Sequence, residues 1–195
     1  LGASQNNDTN TNAYTLAAWN WKAGGSAVSN TNGSITSSVS ANVDAGFSIV
    51  SYTGTGANAT VGHGLSVAPE MLITKSLGVK NWGVYHKDLT GVDYYLGLNQ
   101  TAAQAQSSTV FNGVSSTTFT VGSDNRANDT AGMIAYAFHS VESYSLVGSY
   151  IGNGSIDGTF VHCGFRPAFV MIKKTSATGN WPMTNNKVLG YNPDN

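Results

Sequence analysis

The chain writes one stretch of itself twice, and that repetition limits the folds open to it more than any other feature. Residues 47–82 read FSIVSYTGTGANATVGHGLSVAPEMLITKSLGVKNW, and residues 144–181 read YSLVGSYIGNGSIDGTFVHCGFRPAFVMIKKTSATGNW. Ser51-Tyr52 answers to Ser149-Tyr150, Gly54 and Gly56 to Gly152 and Gly154, and Gly64-Leu65 to Gly164-Phe165. Pro69, Lys75 and Asn81-Trp82 recur as Pro167, Lys173 and Asn180-Trp181. The spacing is about a hundred residues throughout, the signature of repeated structural units.

A shorter echo sets the limits of the unit. Tyr14-Thr15-Leu16-Ala17-Ala18-Trp19 follows an Asn-rich loop, as Met133-Ile134-Ala135-Tyr136-Ala137-Phe138 follows another. Residues 1–22 therefore read as the closing strand of a preceding copy, and 23–46 as a connector. Residues 47–142 make one complete repeat, and 143–195 carry the opening strands of a further, incomplete one. The connector holds Gly24-Gly25 and Asn32-Gly33, which are turn signals, so one hairpin is expected there with its register set by the Asn-Gly turn.

Composition agrees with β-structure. Hydrophobic residues make up 41% of the 195 but charged residues only 10%, against roughly 25% in ordinary soluble domains. Ser, Thr, Asn and Gly fill the difference, which suits short strands and tight turns and argues against disorder. The net charge of −1 comes with no run of Lys or Arg, so nothing points to nucleic acid or an anionic membrane. No apolar stretch approaches the ~18 residues of a membrane span. The lone Cys163 excludes an internal disulfide and a multi-thiolate zinc site, and its strand-like setting reads as a buried small hydrophobe.

Strands are expected near residues 47–52, 60–63, 70–76, 82–87, 94–99, 117–122 and 133–139, separated by Gly-rich or Asx-rich turns. No helical crossover lies between them, so the fold class is all-β, with antiparallel β-sandwich, jelly-roll-like repeats. Residues 101–107, TAAQAQS, suit a short helix or a loop equally well.

The chemical candidates thin out on inspection. Gly54-Thr55-Gly56 lacks the third glycine and the helix of a phosphate-binding loop, and a turn needing positive φ explains it better. His63, His86, His139 and His162 are not spaced as ligands. Glycosidase chemistry needs two facing carboxylates, yet the only glutamates are Glu70 and Glu142, each beside a strand end. No Gly-x-Ser-x-Gly elbow is present. The loop from Asp124 to Asp129 offers oxygen ligands for calcium, but Arg126 and a missing glycine spoil the pattern. Asn-x-Ser/Thr triplets at Asn7, Asn32, Asn58, Asn99, Asn128 and Asn153 mark loops in a Ser/Thr-rich chain. No catalytic residue, metal or cofactor is expected. If the protein binds something, the candidates are Tyr85, Tyr94, Tyr95, Asn99 and Arg126, where polar aromatics gather beside one Arg; half-buried strand tyrosines are the plainer account. Trp82 and Trp181 recur at one repeat position, as structural anchors would.

The phrases AAWNWKAGGSAVSNTNGSITSSVSANVDAGFSIVSYTG, VGHGLSVAPEMLITK, NWGVYH and GSYIGNGSIDGTFVHCGFRPAFVMIKKT resemble a repeat domain of uncharacterised function from virion and tail-fibre-like proteins of marine tailed bacteriophages. The resemblance spans nearly the whole chain. It implies a non-enzymatic viral structural protein at the virion surface, outside the cell, as a fibre, appendage or decoration that contacts the host surface. A carbohydrate-binding module of a tail fibre and a glycan-degrading hydrolase are the alternatives. Self-association, or contact with other virion proteins, is expected through the unfinished β-edges at residues 14–21 (Tyr14 to Trp21) and 168–172 (Ala168 to Ile172). A host surface glycan is the other expected partner; nucleic acid and membrane insertion are not.

Overall fold

A computed structural model describes residue 18 and residues 20–187. In chain order its strands are β1 (Val28–Asn30), β2 (Ser37–Asn42), β3 (Phe47–Tyr52), β4 (Ala59–Gly62), β5 (Met71–Ser76), β6 (Gly83–His86), β7 (Tyr94–Tyr95), β8 (Ala105–Gln106), β9 (Phe111–Val114), β10 (Thr118–Val121), β11 (Met133–Phe138), β12 (Phe169–Met171) and β13 (Met183–Asn185). One helical turn, α1 (Asn125–Asn128), lies between β10 and β11. The protein is all-β, and every paired strand is antiparallel; the one parallel contact is an isolated bridge from Ile35 to Val61.

β11 sits at the centre because its sequence, MIAYAF, alternates. Met133, Ala135 and Ala137 are fully buried, while Ile134, Tyr136 and Phe138 face the other way. It pairs with β3 on one side and β5 on the other, within a six-stranded sheet of order β1-β2-β3-β11-β5-β6. A second sheet, β4-β10-β9, shares its core. The inward side chains are small on β11 and large opposite: Phe111 and Phe119 are buried, and Phe119 meets the Tyr52 ring edge-on at 5.9 Å. Burying each such ring contributes about 2–3 kcal/mol.

The other face of the large sheet is apolar too. Register aligns Phe47, Phe138 and Met71 in one row and Ile49, Tyr136 and Ile73 in the next. Trp21 lies over this face, its ring 6.5 Å from Phe47, 6.1 Å from Phe138 and 5.7 Å from Phe169 of β12. The two stretches expected at the unfinished edges thus touch within one chain. Tyr14 to Ala17 and Trp19 lie outside the described residues.

Residues 23–46 are more than a linker. β1 and β2 extend the six-stranded sheet, and Ile35 and Val39 are buried in the core. The hairpin closes through residues 31–36, longer than a two-residue Asn-Gly turn, because Ile35 leaves the sheet to bridge Val61 on the opposite one. The expected strand over 94–99 shortens to Tyr94–Tyr95, since Leu96 bridges Val84 instead and a turn follows. Residues 101–107 form no helix; they contain β8.

Residues 144–181, which echo 47–82 in sequence, share only part of that stretch's structure. β12 and β13 pair with Phe169 opposite Asn185, Val170 opposite Thr184 and Met171 opposite Met183. That is the register of Met71 with His86, Leu72 with Tyr85 and Ile73 with Val84 in the β5–β6 hairpin. The corners recur as well. Gly56 and Gly154 have φ of 67° and 69°, and Gly64 and Gly164 have 73° and 75°, a region where only glycine is free of strain. Yet residues 146–168 form no strand, although they repeat β3 and β4. β3 is held between β2 and β11, whereas no strand among the described residues flanks 146–168. Tyr150 and Val161 are in consequence 47% and 42% exposed, where Tyr52 and Val61 are buried. Cys163 is half-buried and unbonded to another sulfur, not buried as its strand-like sequence suggests, for the same reason.

Candidate functional site

Trp181 marks where the β12–β13 hairpin meets the rest of the chain. The chain leaves β12 at Met171, loops through 173–181 and returns at Met183. Lys173 Nζ curls back to donate to Lys174 O at 2.7 Å, just as Lys75 Nζ donates to Ser76 O in the first copy. The loop then lies along residues 97–104. Gly179 N donates to Thr101 O at 2.8 Å, Gln104 N to Thr175 O at 2.9 Å, and Lys173 Nζ to Thr101 O at 3.3 Å. Trp181 closes the junction. Its indole Nε1 donates to Gly97 O at 3.0 Å, and its ring packs on a second hydrophobic cluster built from Val84, Leu89 and Leu96.

Two of the five binding candidates border this junction. Tyr94 packs against the same cluster as Trp181. Asn99 is spent on positioning: its Oδ1 accepts from Trp82 N at 3.1 Å and its Nδ2 donates to Asn81 Oδ1 at 3.0 Å. Two others pair with each other, the Arg126 guanidinium lying 4.8 Å over the Tyr95 ring. Tyr85 stands apart. It is buried against Phe111 at 6.2 Å, and burial pushes its phenol above the usual range, with the Asp88 charge adding to the rise.

The histidines and carboxylates serve the frame. His63 is fully buried; its Nδ1 accepts from Leu65 N at 3.1 Å, which leaves Nε2–H to donate to Ser115 O at 3.1 Å. Burial holds its ionisation below 6.5; the Ser115 bond opposes this and the His139 charge adds to it. Glu70 fastens two segments. One oxygen takes Lys87 Nζ at 2.7 Å, and the other accepts from Ser140 N at 2.7 Å and from the Ser140 hydroxyl. Burial raises the Glu70 ionisation, but these hydrogen bonds outweigh it and the carboxyl ends below its ordinary range.

The stretch 124–129 uses its oxygens on the protein. Asp124 Oδ1 caps α1 by accepting from Arg126 N at 2.8 Å, and Asp129 Oδ2 accepts from Ser76 Oγ at 2.6 Å. Asn128 is the residue that sequence reasoning missed. It is buried, its Oδ1 accepts from Thr55 N at 2.7 Å, and its Nδ2 donates to Ala57 O and Gly122 O, each at 2.6 Å. One side chain thereby ties three loops at one end of the core. In the sequence it stands only as one Asn-x-Thr triplet among several and as part of the Asp124–Asp129 loop, with no cue to its burial. Among the described residues, no three His, Cys, Asp or Glu side chains gather as a metal site, and no helix is long and apolar enough to cross a membrane.

Fold and contacts together define an antiparallel all-β protein whose most developed polar contacts join one part of the chain to another. The chain belongs to the family described as domain of unknown function (DUF7483), whose model matches residues 1–195. No curated protein and no solved structure matches it.

Proposed function

We propose that this chain is a non-enzymatic structural module of a bacteriophage particle, a fibre, appendage or decoration built from β-sandwich repeats placed in series. The observation that carries the modular part is the junction. A second hairpin with the register of the first docks on residues 97–104 through a tryptophan that both copies possess. Polar side chains that could do chemistry are engaged in the frame: His63, Glu70, Asn128 and Asp129 all hold loops or strands. The phage assignment rests on the resemblance of the repeated phrases to virion and tail-fibre-like proteins.

Purified particles of a phage that encodes the chain test this reading. Mass spectrometry should find the chain in the particle, and antibodies raised against residues 23–142 should label its surface in electron micrographs. Particles free of the chain would refute the proposal. Carbohydrate binding is the second reading, favoured by the Arg126–Tyr95 stack beside Tyr94. A glycan array that shows binding lost on Tyr95→Ala would move the protein to that class.

A further inference from the structure

The chain leaves the two large sheets through one fastened turn. After β11, residues 141–145 fold back on themselves: Ser145 N donates to Val141 O at 2.9 Å, and Val141 N to Ser145 O at 3.0 Å. Ser143 takes a φ of 62° there, and no other non-glycine among the described residues has a positive φ. A side chain in that region strains the backbone, so the surrounding structure must hold the turn closed. Ser140 and Glu70 do this. The Ser140 hydroxyl donates to Glu70 Oε2, which turns its own lone pair toward Val147 N, 2.9 Å away. Glu70 Oε2 also accepts from Ser140 N at 2.7 Å, and Lys87 Nζ holds Oε1 at 2.7 Å. Beside them the His86 ring meets the Gly148 backbone. Residues 147 and 148, where the strandless segment begins, are thus tied to the corner of the β5–β6 hairpin.

The β12–β13 hairpin shows that these side chains are not needed to close the corner itself. Lys87 N donates to Glu70 O at 2.8 Å, and at the echoed positions Asn186 N donates to Ala168 O at 3.1 Å, so the two backbones close alike. Yet the places of Glu70, His86 and Lys87 are taken by Ala168, Asn185 and Asn186, which carry no carboxylate, imidazole or ammonium group. We infer that Glu70, Lys87, His86 and Ser140 form a latch that holds the following segment on the unit and so fixes the direction in which the chain leaves it. Glu70 acts as a positioning residue. Its carboxylate, anchored by Lys87, orients the Ser140 hydroxyl, and the hydroxyl holds Val147. The latch shares no residue with the junction at Trp181, so the segment between them is held at both ends by separate means. A fixed direction of exit matters where modules follow one another. The latch thus deepens the modular reading and rests on it.

Amide hydrogen exchange of the full-length chain, read at Val147 by NMR, provides the test. Val147 N should be protected in the parent, and Glu70→Ala and Ser140→Ala should each speed its exchange by about tenfold or more. Glu70→Ala leaves a corner that can still fold, since Ala168 stands at that place in the second hairpin. Val50, buried in β3 between two paired strands, reports on the frame, and its exchange should stay as in the parent. An unchanged rate at Val147 would overturn the latch. Equal acceleration at Val147 and Val50 would overturn it too, because the substitutions would then have loosened the whole unit. Trp181→Ala supplies the third arm: Val147 should remain protected while the second hairpin opens. Loss of protection there would make the fastening a by-product of hairpin docking and overturn the separate latch. Failure here would leave the module in the virion, whereas particles lacking the chain would remove the modular reading itself.

Discussion

Three buried polar side chains hold the frame, and each makes a distinct prediction. Tyr52 donates its hydroxyl to Ala127 O at 2.5 Å while its ring fills the core, so burial drives its ionisation far upward. Tyr52→Phe keeps the ring and leaves that carbonyl unpaired; urea denaturation should show a loss of about 1–2 kcal/mol. Asn128→Asp removes two donated hydrogen bonds and sets a carboxylate against Ala57 O and Gly122 O. The expected cost is about 3 kcal/mol or more, by the same measurement. His63 gives a pH dependence whose sign follows from burial. Its folded-state ionisation lies below 6.5, so the unfolded chain binds the proton first as pH falls. The stability it contributes is complete above about pH 6.5 and drains away as pH drops toward the folded value, with half-buried His86 acting in the same direction. An unfolding midpoint in urea that is equal at pH 7.5 and 5.5 would contradict this.

Elements built from alternation were legible in the sequence, and those defined by distant partners were not. Phe47–Tyr52 needs only its own period of two to be read as a strand, and it is β3. The repeat of that same sequence at 144–150 forms no strand, because pairing with β2 and β11 is what makes one. Phe111–Val114 escaped notice, since Asn112-Gly113 reads as a turn; Gly113, at φ 110°, lies where the ladder to β10 shifts register. Trp181 packs as the anchor its recurrence suggests, whereas the Trp82 ring joins neither core cluster and the acceptor loop at 97–104 has no motif. Of the binding candidates only Tyr95 and Arg126 stack on each other, and the burial of Tyr85 against Phe111 is a long-range contact that the sequence does not display. The β12–β13 hairpin carries its own test. Trp181→Ala deletes the bond to Gly97 O and the ring that covers Val84 and Leu96, so the hairpin should become open to chymotrypsin. The main unit, which shares no core residue with Trp181 in its larger cluster, should melt within about 2 °C of the parent.

At the scale of the whole molecule, every ladder of the two large sheets is closed between residues 28 and 138. Residues 23–142 made alone should therefore unfold in one cooperative step followed by circular dichroism. They should also bind the dye ANS more than the full chain does, because Phe138, Phe47 and Leu96 lose the cover of Trp21 and the second hairpin. A non-cooperative transition would mean that residues 143–187 are part of the folding unit. The left-handed glycines of residues 144–181 show that conformation can recur where pairing does not. Gly154 and Gly164 already hold the bends that Gly56 and Gly64 hold in the finished unit, though no ladder surrounds them. Fixing a residue in one backbone well costs about 1–2 kcal/mol, so these two corners carry that cost without the ladder that surrounds their counterparts.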